Sequence, residues 1–421
     1  MVFYLGTSTA AHQIEGNNIH SDFWAQEQME NSIFAEPSLD AVDHYHRFKE
    51  DIDLMADAGF NAYRFSIEWA RIEPERGKYS SEEINHYKEV IDYCHQKGIE
   101  PFVTLHHFSS PKWLISEGGW ENTETVDYFR NYTQVVMENL GHRLNHVCTI
   151  NEANMGLQLA AIMERLMKQS GQSLQVGVNP LMEQMKKQQE EACRVFGLKE
   201  GEQANTFLSN RTRKGDQIII DCHLAARDVI KSLFPEIKVG LTLSLHDFQV
   251  ADDSLEASEH VAKRWNEEFL HYLPYILKDD FLGIQNYTRE IIGKNGVQKA
   301  PEGASLTDMG YENYPYALAN VVKKVAKDYS GNIIITENGI AATDDTIRVH
   351  FIDEVCKDVE QLVAEGYPVQ GYFHWSLLDN FEWQRGFAMQ FGLVAVNRET
   401  QERMPKPSLT QLGRKFSNLK K

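Results

Sequence analysis

The chain of 421 residues carries 61 acidic against 42 basic side chains, a formal charge of −19, with 42% hydrophobic and 24% charged residues. That balance suits a folded soluble protein and speaks against nucleic-acid or anionic-membrane partners, which require a positive footprint. The five cysteines, Cys94, Cys148, Cys193, Cys222 and Cys356, are odd in number and lack zinc or CxxC spacing, so they read as reduced core residues. The opening MVFYLGTSTAAHQIEG has no basic-then-apolar leader pattern, and no uninterrupted apolar run of about 18 residues occurs, so a cytoplasmic enzyme with no membrane span is expected.

Apolar runs bounded by turn residues predict eight strands: VFYLG (2–6), FNAYRFS (60–66), IEPFVTL (99–105), HVCTIN (146–151), KVGLTL (238–243), DFLGIQ (280–285), NIIITE (332–337) and VQGYFHW (369–375). Between them, 43–58 repeats Phe48, Ile52 and Met55 at helical spacing, and 125–144 repeats Val126, Phe129, Thr133, Val136 and Leu140. Gly59 and Gly98 stand where helix C-caps belong. The alternation predicts an α/β protein, a single (β/α)₈ TIM barrel over 1–421 with extended βα loops. A doubly wound sheet fits less well, because no Gly-rich phosphate loop follows the first strand. Residues 155–216 read as an atypical helical insertion after strand four, with helices around 157–168 and 180–196, and 290–315 reads as a Gly- and Pro-punctuated loop. Both connections rise over the same barrel mouth, where they are placed to shape a cleft.

Strand seven ends IITENG (334–339), which places the carboxylate of Glu337 where an otherwise buried strand leaves the core. Strand four ends CTINEAN, bringing Asn151 and Glu152 to the same mouth. Strands three apart in an eight-strand ring face each other across its axis, so Glu152 and Glu337 are expected to oppose. Arg64, His107, Asn151, Tyr287 and Trp375 also fall at or near strand ends, and a polar set with aromatics at one barrel face has no packing rationale.

These residues lie in GTSTAAHQIEG (6–16), YRFSIEWARI (63–72), VTLHHFSSPKWL (103–114), TINEAN (149–154), FLGIQNYTR (281–289), ITENG (335–339), WSLLDNFEWQRGF (375–387), FGL (391–393) and PKPS (405–408). In this order the motifs resemble glycoside hydrolase family 1, the β-glucosidase family, and leave about 155–216 unmatched. The resemblance implies a retaining β-glycosidase, most simply an exo-acting β-glucosidase with β-galactosidase or β-fucosidase activity, acting on small β-glycosides or oligosaccharides. By motif position Glu152 resembles the acid/base and Glu337 the nucleophile. Gln13, His107, Asn151, Glu382 and Trp383 match residues that hold the sugar, Trp375 the aromatic floor, and Arg64 and Tyr287 residues that contact the nucleophile.

The chemistry asks for these types in its own right. Attack at an anomeric carbon needs an ionised carboxylate on one face and a proton donor near the leaving oxygen. Arg64 and Tyr287 would keep Glu337 ionised, and that charge would raise the pKa of Glu152 until glycosylation removes it. Glu382 can accept hydroxyl protons but would repel a sugar 6-phosphate, which argues against a 6-phospho-β-glucosidase despite Arg385. A non-catalytic sugar binder is disfavoured by the presence of both carboxylates, while hydrolysis and glycosyl transfer share one intermediate.

Three departures from the family pattern concern the leaving-group side and fine selectivity. HHFS puts Phe108 where an indole donor is usual, NEAN lacks a proline, and Gln285 replaces an asparagine. The pairs His44 and His46, His106 and His107, and His142 and His146 do not obviously converge, so no metal and no cofactor are expected. A homo-oligomer is compatible with the sequence.

Overall fold

The computed structural model describes residues 2–160, 162 and 180–419. Its strands β1 (Tyr4–Ser8), β2 (Ala62–Ser66), β3 (Glu100–His106), β4 (His146–Ile150), β5 (Lys238–Ser244), β6 (Phe281–Gln285), β7 (Asn332–Asn338) and β8 (Val369–Trp375) pair in sequence order. β8 pairs with β1, Ser8 standing opposite Trp375, so the sheet closes into an all-parallel eight-stranded barrel. All eight expected strands are present.

Helices α1 (His44–Ala58), α2 (Ser81–Gln96), α3 (Thr125–Leu140), α4 (Arg213–Leu233), α5 (Leu255–Trp265), α6 (Ala317–Val325), α7 (Asp345–Ala364) and α8 (Pro407–Gly413) connect or follow the strands. α1 buries Phe48, Ile52 and Met55 as its spacing requires, and ends at Gly59 with φ 92°. α3 buries Phe129, Thr133, Val136 and Leu140, but stops at Leu140, four residues before the expected end, where Gly141–Arg143 tightens into a 3₁₀ turn. Val126 is only partly buried.

The connection after β4 contains the helix Pro180–Phe196, and residues 155–160 and 162 are helical. The rest of the helix expected around 157–168 lies outside the described residues. The 290–315 segment is not all loop. Arg289–Gly293 pairs with Asp247–Val250 in parallel and with Gly296–Val297 in antiparallel, because the β-branched Ile291 and Ile292 find a partner strand beyond β5 that local sequence does not announce. Among the described residues no helix is long and apolar enough to cross a membrane.

The barrel interior is layered. Ala62, Phe102, Cys148, Phe281, Ile334 and Phe373 form an apolar plug, with Phe102 and Phe373 centroids 4.8 Å apart. Further along the strands the same face turns polar or aromatic: Arg64, two residues on from Ala62 in β2, Gln285, four on from Phe281 in β6, and Trp375, two on from Phe373 in β8. β7 reaches this layer by an irregularity. Ile335 pairs with Ile284, yet Glu337 pairs with Gln285, so one residue is skipped and Glu337 takes the interior place that Thr336 would otherwise fill. The bulge answers why a carboxylate sits at the tip of an apolar strand.

Just beyond it, Gly339 runs so close to β8 that a Cβ there would lie 1.9 Å from the Trp375 carbonyl oxygen. Gly339→Ala is expected to lower stability by about 1–3 kcal/mol and to displace the end of β7. Denaturant unfolding checks this, and an unchanged midpoint would show that the β7–β8 mouth has room to yield.

Candidate active site

A cavity of about 890 Å³ opens at the C-terminal ends of the strands. Seven of the ten expected site residues line it: His107, Glu152, Tyr287, Glu337, Trp375, Glu382 and Trp383. Gln13, Arg64 and Asn151 are fully buried behind that lining.

Glu337 is held by three donors from the ends of two strands, β2 and β6. Its Oε1 accepts from Arg64 Nη1 at 2.7 Å and from Gln285 Nε2 at 2.8 Å, and its Oε2 accepts from the Tyr287 hydroxyl at 2.8 Å. Burial lifts the Glu337 carboxyl above its ordinary range, while Arg64, Tyr287 and Gln285 pull it back. The ionised form is the one that fits, since Arg64 is fully buried and stays protonated, and an unpaired cation there would carry a large desolvation cost.

Arg64 Nη2 and Gln285 Nε2 both donate to Asn151 Oδ1, each at 2.6 Å. With two donors on its oxygen, Asn151 turns its amide nitrogen to His107 Nε2 at 3.1 Å. His107 Nε2 is therefore the acceptor, which leaves the proton on Nδ1, a buried atom without a partner among the described residues. Burial also drives the imidazole pKa well below its usual value, with the Arg64 charge next in effect, so the ring is neutral.

Glu152 has no such cage. Its backbone is left-handed at φ 43°, and its N–H donates to Thr242 Oγ1 at 3.1 Å. Burial first, and the Glu337 charge second, push its carboxyl well above the ordinary range, against weaker opposition from Arg64 and Ser244. Two carboxyl groups of one cavity thus differ in proton affinity, the anion belonging to the one with the donors.

At the far wall Gln13 Nε2 donates to the Phe381 carbonyl at 2.8 Å and to Glu382 Oε2 at 3.2 Å, while its own Oε1 has no partner among the described residues. Burial and the Glu337 charge raise Glu382 to about 8, with Gln13 and Trp375 opposing. Trp383 is left-handed at φ 46° and lies parallel to His12, with ring centroids 6.1 Å apart. Phe108 lines the cavity and stacks on Phe207 at 5.7 Å.

The histidine pairs do not converge. His44 meets Asp51, His46 meets Asp43, His106 meets Ser110 and His146 meets Glu100. The sequence reading missed Gln285 as a site residue, although its departure from asparagine was visible. The connection after β4, expected to shape a cleft, does line the cavity through Gln188, Gln189, Thr206 and Leu208, residues that no motif singles out.

The model of glycosyl hydrolase family 1 matches residues 1–167 and 268–413. The chain belongs to glycosyl hydrolase family 1. The unmatched stretch, 168–267, begins later than the expected 155–216, ends further along the chain and includes β5. Beta-glucosidase A of Thermotoga maritima is 30% identical over 479 residues, covering 100% of this chain and 97% of the relative. Beta-glucosidase A of Acetivibrio thermocellus is 30% identical over 453 residues, covering 96% and 95%. Among solved structures, beta-glycosidase BGL167 superposes with a TM-score of 0.89 at 40% identity, covering 98% of this chain and 95% of that one. The Thermotoga maritima beta-glucosidase in complex with deoxynojirimycin gives 0.81 at 27% identity, covering 98% and 97%. This chain is a glycoside hydrolase on a family 1 barrel.

Two outcomes follow from the site's electrostatics. Arg64→Met leaves Glu337 buried without its cation, so its pKa rises and the acidic limb of kcat/KM moves to higher pH, with a loss of about 10³-fold at the optimum; a pH–rate profile reads both, and an unmoved limb would assign that limb to another group. For Glu382 the folded pKa of about 8 exceeds that of an ordinary carboxyl, so the native state binds the extra proton and its stability falls as pH rises through that window. Glu382→Gln removes the titration and is expected to gain roughly 2–4 kcal/mol on wild type between pH 5 and pH 8, read by urea unfolding at both values.

Proposed function

We propose that the protein is a retaining exo-β-glycosidase that removes terminal non-reducing β-D-glucosyl residues, accepting β-galactosyl or β-fucosyl groups as well. The observation that carries this reading is the asymmetry of one cavity's two carboxyl groups: Glu337 with three donors, Glu152 with a strongly raised pKa. Glu337 attacks the anomeric carbon while Glu152 gives its proton to the leaving oxygen, forming a glycosyl ester and a free alcohol. The ester carries no charge, so Glu152 loses the anion that helped raise its pKa and takes a proton from water as that water attacks the anomeric carbon and breaks its bond to Glu337. The sugar leaves with retained configuration, Glu337 is again an anion and Glu152 again an acid. An alcohol or sugar in place of water gives transglycosylation by the same step.

His107 Nδ1 is a donor without a partner among the described residues, Glu382 accepts from hydroxyls at the far wall, and Trp375 and Trp383 offer ring faces. Among the described residues the cavity lining includes no lysine or arginine, and a 6-phosphate would face Glu382, which favours unphosphorylated sugars. Relatives named beta-glucosidase support the glucosyl preference. We read the whole chain as one catalytic unit, with the connection after β4 forming a cleft wall through Gln188, Gln189, Thr206 and Leu208. A reducing, cytoplasmic setting suits five buried cysteines, each a free thiol.

Assays of aryl β-glycosides with wild type, Glu337→Ala and Glu152→Ala test the roles. Glu337→Ala is expected to lose several orders of magnitude in kcat/KM and to form α-glycosyl azide when azide is supplied. Glu152→Ala should keep activity only on activated leaving groups and give the β-azide. Turnover near the wild-type level in Glu337→Ala would overturn the assignment.

A further inference from the structure

We propose that Arg211, in the stretch that the family model does not match, is the positioning residue for the acid/base Glu152; this rests on the roles proposed above. Arg211 precedes α4 and is buried at 7% exposure. Its guanidinium makes no ion pair among the described residues. Nη1 instead donates to the carbonyl of Ala153, the residue after Glu152, and Nη2 donates to the Phe207 carbonyl at 3.0 Å. The Phe207 ring lies under the guanidinium with its centroid 4.6 Å away.

Asp216 and Glu121 act on this buried cation only at a distance, and the charge-assisted bond it makes to a backbone carbonyl is strong and directional. The bond is placed where the backbone needs holding. Glu152 has φ 43°, a conformation that costs a non-glycine residue energy and persists only when its surroundings fix it. From the barrel side Thr242 does half of this, its Oγ1 accepting from Glu152 N–H at 3.1 Å and its carbonyl accepting from Ala153 N–H at 3.1 Å. Arg211 supplies the other half by taking the Ala153 carbonyl.

The surroundings fit Arg211 closely. A Cβ at Gly156 would lie 2.5 Å from Arg211 Nε, so the chain passes the guanidinium only because residue 156 has no side chain. On its other side Thr212 is fixed by Glu121, whose Oε1 accepts the Thr212 N–H at 2.9 Å and whose Oε2 accepts its hydroxyl at 2.6 Å. Phe207 is wholly buried against His106 at 4.7 Å and Phe108 at 5.7 Å, so the same stretch also backs a ring of the cleft. Neither Arg211 nor Phe207 lines the cavity; both act through residues that do.

A displaced acid harms only reactions that need its proton. Arg211→Met keeps much of the side-chain volume and removes the donors. In this variant kcat/KM for 2,4-dinitrophenyl β-glucoside, whose leaving group needs no proton, is expected to stay within about threefold of wild type, while that for phenyl β-glucoside falls by about 50-fold or more. The Brønsted plot against leaving-group pKa steepens, and Arg211→Lys recovers most of the loss. Gly156→Ala, which pushes the guanidinium aside, should give the same pattern and serves where Arg211→Met does not fold. A uniform loss across leaving groups, or no loss, in a folded variant overturns the inference while wild-type turnover of β-glucosides leaves the proposed function standing. A wild type inert on every β-glycoside overturns the proposed function itself.

Discussion

A guanidinium with no access to solvent, that of Arg64, sits at the floor of the cleft and must be neutralised there. Its two terminal nitrogens reach Glu337 and Asn151, and those contacts settle the protonation of the whole site. Burial first, and the Glu337 charge second, disfavour an anion at Glu152, which leaves the proton there. Because Asn151 offers its oxygen to Arg64 and Gln285, its nitrogen faces His107 and selects the tautomer of that ring. One buried charge thus propagates from β2 through β7 and β4 to the residue after β3, each step fixed by the geometry of the one before.

Most of the barrel was legible because apolar runs and turn residues are local signals, and the eight strands carry them undiluted. The bulge in β7 was not. IITENG shows no bulge by itself; only pairing with β6 reveals that Glu337, and not Thr336, stands opposite Gln285. Gln285 itself was noticed as an oddity and given no role, since the value of its longer side chain lies in reaching Glu337 and Asn151 together, two residues distant in sequence. The strand Arg289–Gly293 was hidden for a related reason, its partner Asp247–Val250 belonging to a different connection. Arg211 is the extreme case, for nothing around it in sequence distinguishes it from a surface arginine. Its environment is made by Ala153 and Phe207, and by the absence of a side chain at Gly156.

Three residues lining the cleft, Phe108, Glu152 and Trp383, have left-handed backbones without being glycine. Such conformations are retained where surrounding contacts over-determine them. Each has its own support: Phe108 by the rings of Phe207 and Trp383, Glu152 by Thr242 and by the Arg211 bond to its neighbour, Trp383 by His12 and Phe23. The supports come from different elements, so the cleft depends on the barrel being closed and on the connection after β4 being docked.

The same dependence holds for charge. Glu152, Glu337 and Glu382 share one cavity, and the Glu337 charge raises the pKa of both its neighbours. Such a cluster lowers the stability of the empty protein as pH rises, because the native state resists losing protons that an unfolded chain would release freely. A neutral sugar relieves the cluster in two ways. In the proposed reaction its hydroxyls give Glu382 donors that, among the described residues, come from Gln13 and Trp375, and its anomeric carbon converts the Glu337 anion into an ester. The electrostatic tension of the empty site is thus directed at the changes that binding and glycosylation bring, and the arrangement that is poor for folding is the one that favours reaction.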